Sequence, residues 1–166
     1  MLTLGIDPGT ARTGYGLVRE HPEGRLELVA CGVVATAAAT PMPERLQSLH
    51  AALCTLIAEH RPESGAVETL FFQRNVSSAL SVGQARGVAL LALAQAGIPV
   101  WEYSPRQVKQ AVAAYGGAGK RQMQAMVRTL LALAGPAPPD DAADALAVAI
   151  CHLHSSRLQA RAEAGG

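Results

Sequence analysis

Apolar side chains fill Leu2 to Ile6 almost without interruption, then return in Gly14 to Arg19 and in Arg25 to Thr36, each run bounded by turn-forming residues. The short connections, the second being His21-Pro22-Glu23-Gly24, predict three antiparallel strands in a meander. The period then changes. Leu46, Leu49, Leu53, Leu56 and Ile57 recur at helical spacing, with Pro43 near the helix start and Pro62 just beyond its end. A fourth strand is expected over Ser64 to Leu70, a helix over Ser77 to Gln95, a fifth strand over Val100 to Tyr103, and a helix opened by Pro105. Gly116-Gly117-Ala118-Gly119 interrupts that helix, and Lys120 to Ala134 resumes it with Met123, Val127, Leu130 and Leu131 as its apolar stripe. Beyond the stiff segment Gly135-Pro136-Ala137-Pro138-Pro139, an alanine-rich helix runs from Asp140 to Ser155. This order implies an α/β fold, a five-stranded mixed sheet flanked by helices with strand four beside strand one. The 166 residues suit one domain over residues 1–156, with residues 157–166 a flexible polar tail.

Four carboxylates break the apolar pattern. Asp7 ends the first strand and is followed at once by Pro8-Gly9-Thr10; Glu68 lies inside the apolar run Gly65 to Phe72; Asp141 and Asp144 open the last helix. A carboxylate embedded in apolar sequence is costly unless a cation meets it. No basic residue lies within four positions of any of the four, so a local ion pair cannot neutralise them. Asp141 and Asp144, three apart, share one helix face with Cβ atoms roughly 5 to 6 Å apart. If strands one and four are neighbours and the last helix crosses their ends, the four converge. Such a cluster of hard oxygen donors suits Mg²⁺ or Mn²⁺ rather than zinc. Two ions about 4 Å apart activate a water and stabilise the departing oxygen in an in-line attack on phosphorus.

Formal net charge is only +1, but its distribution is uneven. Between Thr69 and Pro139 the bases Arg74, Arg86, Arg106, Lys109, Lys120, Arg121 and Arg128 face a single acid, Glu102. A basic half beside a carboxylate cluster suits a polyanion delivered to bound metal. Cys31, Cys54 and Cys151 are odd in number and widely spaced, and read as buried reduced thiols. His152 and His154 stand two apart on a helix, where they cannot share an ion from one face; with His21, His50 and His60 they read as surface residues. No run approaches the roughly 20 apolar residues of a membrane span, and no basic segment precedes a long apolar one at the N-terminus. The expectation is a soluble, cytoplasmic protein.

Gly5-Ile6-Asp7-Pro8-Gly9-Thr10 with Thr13-Gly14-Tyr15-Gly16, Glu68 followed by Phe71 and Asn75, Gly83-Gln84-Ala85-Arg86-Gly87, and Asp141-Ala142-Ala143-Asp144-Ala145-Leu146-Ala147 together resemble the RuvC-type Holliday-junction resolvases. The resemblance runs in order from residue 1 to about residue 154. It implies a ribonuclease H-like fold, a homodimer, and Mg²⁺-dependent paired nicking of four-way junction DNA in recombination and repair, with two ions per site and Mn²⁺ able to substitute. It carries Asp7, Glu68, Asp141 and Asp144 over as the catalytic metal ligands, and Phe71 as an aromatic wedge in the junction. Lys109 and Lys120 carry over as DNA contacts, joined by Arg74, Asn75 and Arg121. The branch-migration proteins RuvA and RuvB are the further partners it implies.

Asp140 adds a carboxylate beside the motif, and its spacing to Asp144 also allows a shared face. The string D-x-x-D-A-L-A places the ligand at Asp141 and leaves Asp140 as the helix N-cap. Gly-Ile-Asp-Pro-Gly-Thr alone is weak, because ATPases of the actin and sugar-kinase type open similarly; those folds need two such domains, more than this chain holds. Gly116 to Lys120 lacks the spacing of a phosphate loop. Along Ser77 to Gln95, Ala79, Gly83 and Gly87 recur at intervals of four, which would let a second backbone approach, and this face is the expected dimer interface. Two other readings are a ribonuclease H-like nuclease for structured RNA and a non-catalytic junction-binding subunit. Phe71 and the lysine-bearing loop argue against the first, the intact carboxylates against the second.

Overall fold

Strand β1 (Leu2–Asp7) is buried on both faces, with Leu2, Leu4 and Ile6 packed in the core on one side and Thr3 and Gly5 covered on the other. A computed structural model describes residues 1–69 and 76–164. In it β1 pairs antiparallel with β2 (Arg12–Glu20), and β2 with β3 (Leu26–Ala35), which is the expected meander. Strand β4 (Ser64–Glu68) lies parallel to β1, and β5 (Val100–Tyr103) parallel to β4, giving the order β3-β2-β1-β4-β5. Thr3 and Ser64 confirm the β1–β4 register with a buried hydroxyl pair at 2.8 Å.

One face carries α1 (Met42–His60) and α2 (Val76–Gln95), which close over Leu2, Leu4, Ile6, Leu17 and Val67. Leu49, Leu53, Ala89 and Leu93 come from the helices, and full burial of each leucine stabilises by about 1.5–3 kcal/mol. Helix α1 begins with proline in its first turn and ends at Arg61 in the left-handed conformation, just before Pro62.

The other face carries α3 (Pro105–Ala113), α4 (Lys120–Leu130) and α5 (Asp140–Ala164). Ser104 caps α3 through a reciprocal pair with Gln107, so Pro105 opens the helix as its sequence predicts. Helix α4 stops at Leu130, short of the expected Ala134, where the chain turns through Ala132 at φ 49°. Helix α5 runs on past Ser155 to Ala164, into the expected polar tail. Asp140 is its first helical residue rather than its N-cap, and the Ala143 amide donates to the Pro139 carbonyl.

A lane of glycines lets α5 lie directly on the sheet. A Cβ at Gly5 would overlap the Ala145 carbonyl and the Ala149 backbone; one at Gly14 would overlap the Asp141 carbonyl; one at Gly16 would meet Leu146. Small residues on both surfaces therefore fix the helix height over β1 and β2.

Since α5 is covered by the sheet on one side and by α3 and α4 on the other, a polar residue on it can be fully enclosed. His152 is, at 1% exposure, contrary to the expected surface position. Its Nδ1 is 2.9 Å from the Tyr103 hydroxyl, and its ring lies against Trp101 with centroids 4.5 Å apart. His154 is half-buried, with Nδ1 3.1 Å from the Ala111 carbonyl. Cys151 is buried as expected, whereas Cys31 and Cys54 are only partly so, and all three are free.

Candidate functional site

The turn after β1 is built by its own side chains. Thr13 accepts from the Gly9 amide at 3.2 Å and donates to the Gly9 carbonyl at 2.7 Å, closing Pro8 to Arg12 into a tight loop. Thr10 bonds Ser81 of α2 through their hydroxyls, tying this loop to the helix. Asp7 is thereby held at the end of β1, and the parallel pairing of Ile6 with Val67 places Glu68 beside it at the end of β4. The glycine lane brings the first turns of α5, with Asp141 and Asp144, across the same edge. All four predicted carboxylates meet there.

Their titration records the crowding. Burial first, then the charges of Asp144 and Asp141, push Asp7 up to about 6. Burial and the charge of Asp7 push Glu68 up to about 8, and the two carboxyls are close enough to share a proton as a coupled pair. Burial also raises Asp144, against the pull of Lys120. Such an assembly calls for positive charge.

Part of that charge comes from side chains distant in sequence. Arg12 Nε donates to Asp141 Oδ2 at 2.6 Å, and Lys120 Nζ lies 3.0 Å from Asp140 and 4.0 Å from Asp144. Lys120 is raised by its hydrogen bond to Asp140, which is itself lowered by that bond. Asp140 also accepts from Gln124 at 2.8 Å, so its carboxylate is turned to α4 and away from the cluster. Lys109 and Lys120 join Glu68 and Asp144 in lining a cavity of about 230 Å³. Arg121 is exposed on α4, while Phe71, Arg74 and Asn75 lie outside the described residues.

Among the described residues no three His, Cys, Asp or Glu side chains form a ready metal cage. The fit to a divalent ion lies in the donor chemistry: four carboxylates, hard oxygens throughout, three of them held above their ordinary range by burial and by neighbouring carboxylate charge. Ala79 and Gly83 on α2 are half-buried and Gly87 is exposed, with open space where its Cβ would stand. Ala85, Ala89 and Leu93 face the core instead, leaving Leu80 at 65% and Leu91 at 50% exposure on the outer side.

The family model described as crossover junction endodeoxyribonuclease RuvC matches residues 3–152. The chain belongs to the RuvC family. A RuvC-family relative, the crossover junction endodeoxyribonuclease RuvC of Chloroflexus aggregans, is 61% identical over 94% of this chain and 94% of its own. The Thermus thermophilus RuvC structure superposes with a TM-score of 0.89 at 40% identity, covering 96% of this chain and 97% of that one. A second structure, T. thermophilus RuvC in complex with Holliday junction substrate, gives a TM-score of 0.87 at 38% identity, covering 95% and 96%. The sheet and its flanking helices are thus the ribonuclease H-like fold that the RuvC motifs implied.

Arg12 is the neighbour of the carboxylate cluster that sequence reading missed. It lies five positions beyond Asp7, outside the window of a local ion pair, and reaches a carboxylate 129 residues away. No helix among the described residues is long and apolar enough to cross a membrane.

Proposed function

We propose that this RuvC-family chain is a divalent-metal-dependent endonuclease that resolves four-way DNA junctions by paired nicks, acting as a homodimer. The observation that carries this reading is the meeting of Asp7, Glu68, Asp141 and Asp144 at one sheet edge, beside a cleft flanked by Lys109 and Lys120. These four carboxylates would hold the ions, Mg²⁺ by the hardness of the donors and with Mn²⁺ as a substitute. When bound, a pair of such ions supplies an activated water and stabilises the leaving oxygen.

The chain's own residues do the rest. Lys109 and Lys120 draw the phosphodiester to the cleft and lower the potential of the carboxylates behind it. Asp7 and Glu68 must shed their shared proton to become ligands, so ion binding would release a proton and strengthen as pH rises. Phe71, Arg74, Asn75 and Arg121 are proposed DNA contacts on the strength of the motif match. Two symmetric nicks need two clusters, which a two-fold pair of chains supplies. The outer face of α2, with Ala79, Gly83 and Gly87 between exposed Leu80 and Leu91, is the proposed contact. RuvA and RuvB remain the partners this reading implies.

The test is a labelled four-way junction with Mg²⁺, read by gel shift and by nicking. Asp7→Asn, Glu68→Gln, Asp141→Asn and Asp144→Asn should each abolish cleavage and keep binding, while Asp140→Asn stays active because its carboxylate serves Lys120. A dead Asp140→Asn beside an active Asp141→Asn would overturn the ligand assignment. A wild-type chain that shifts the junction without cutting it would overturn the enzyme.

A further inference from the structure

Arg12 stands at the start of β2, at the end of the loop closed by Thr13 and Gly9, and crosses to α5 to bond Asp141. Its side chain is 56% exposed and that of Asp141 is 30% exposed. An ion pair so open to water contributes little to folding. Its position has more consequence than its strength, because Asp141 is one of the four metal-site carboxylates.

A guanidinium has fixed, planar donor directions, unlike the mobile ammonium of a lysine. With Nε on Oδ2, the carboxylate of Asp141 is held in one orientation, and Oδ1 is the oxygen left for another cation. Among the described residues the Arg12 guanidinium makes no other hydrogen bond, so nothing else fixes its direction. A unit positive charge on one oxygen also repels a doubly charged ion on the other. In a water-rich setting that repulsion corresponds to roughly tenfold in ion affinity.

We propose that Arg12 is a positioning residue and built-in counter-ion of Asp141, which holds this carboxylate in place and competes with the divalent ion for it. The inference rests on the metal-site reading above. It gives the chain a site whose ion is more readily exchanged before DNA arrives, since a backbone phosphate can draw the exposed guanidinium away from Asp141 and lift the competition.

Mn²⁺ alone, titrated into the DNA-free chain and followed by electron paramagnetic resonance and calorimetry, tests this. Arg12→Gln, which keeps a hydrogen-bond donor and removes the charge, should bind Mn²⁺ roughly tenfold more tightly. Arg12→Lys should return the affinity to near the wild-type value. Thermal melts in chelator should be nearly the same for all three, as an exposed pair requires. Unchanged or weaker Mn²⁺ binding by Arg12→Gln, with normal binding by wild type, overturns the role of Arg12 and leaves the metal site standing. A wild-type chain that binds no Mn²⁺ overturns the metal site and this inference with it.

Discussion

Replacing Asp7 by Asn should make the protein more stable in chelator while destroying its proposed activity. Asp7 is raised from 3.8 to about 6, by burial and then by Asp144 and Asp141. A native value above the unfolded one means that the contribution to stability is fully present below about 3.8 and is lost as pH rises through about 6. Glu68, raised from 4.5 to about 8, extends the loss to higher pH. A shift of about two units corresponds to about 3 kcal/mol. Partial exposure and the hydrogen bond shared with Glu68 reduce this to about 2 kcal/mol for Asp7 alone. For a chain of this size that is roughly 4–8 °C in Tm. Calorimetry in EDTA at pH 8 should therefore show Asp7→Asn melting above wild type, with the gap closing toward pH 5. Saturating Mg²⁺ should raise the wild-type Tm and leave the variant almost unmoved. A variant that melts at or below wild type at pH 8, or a gap independent of pH, would refute the view that the cluster is held together against its own charge.

Lys109→Ala and Lys120→Ala should each weaken junction binding and lower the slope of log affinity against log salt by about one; unchanged slopes would place both in ordinary solvated surface. Gly83→Leu should give a folded monomer by light scattering that makes at most single nicks, and a stable dimer would remove the outer face of α2 from the interface. Gly14→Ala forces a methyl against the Asp141 carbonyl, and overpacking of this kind costs about 1–3 kcal/mol. Its cleavage rate should fall far more than its junction affinity, which a parallel gel shift and nicking assay would show.

The convergence of the four carboxylates was legible because each stands in or beside an apolar run with no basic residue near it in sequence. The meander and the place of β4 beside β1 followed from period and turn spacing. Arg12 was not legible, since the contact with Asp141 exists only once α5 lies across β2. The same holds for His152: two histidines two apart on a helix suggest a wet surface, and only a helix enclosed on both sides turns one of them into a core residue bonded to Tyr103. Asp140 was separated from Asp141 by motif register alone; in the structure its carboxylate meets Lys120 and Gln124 of α4, contacts that no sequence pattern announced. Its expected capping role failed because the helix already begins there.

The glycine lane under α5 sets a tolerance as well as a contact. Asp141 and Asp144 belong to one rigid helix, so anything that lifts α5 off Gly5, Gly14 or Gly16 moves both carboxylates together, away from Asp7 and Glu68. At Gly5 and Gly14 the nearest atoms of the helix are backbone, which cannot absorb the movement by changing rotamer. Error at the sheet surface is thus passed undiminished to the carboxylate cluster, over a span no larger than a methyl group. Random mutagenesis should then yield a distinct class of chains, folded and able to hold DNA yet unable to cut it, whose changes gather far from any charge, along a strip of residues that carry almost no side chain at all.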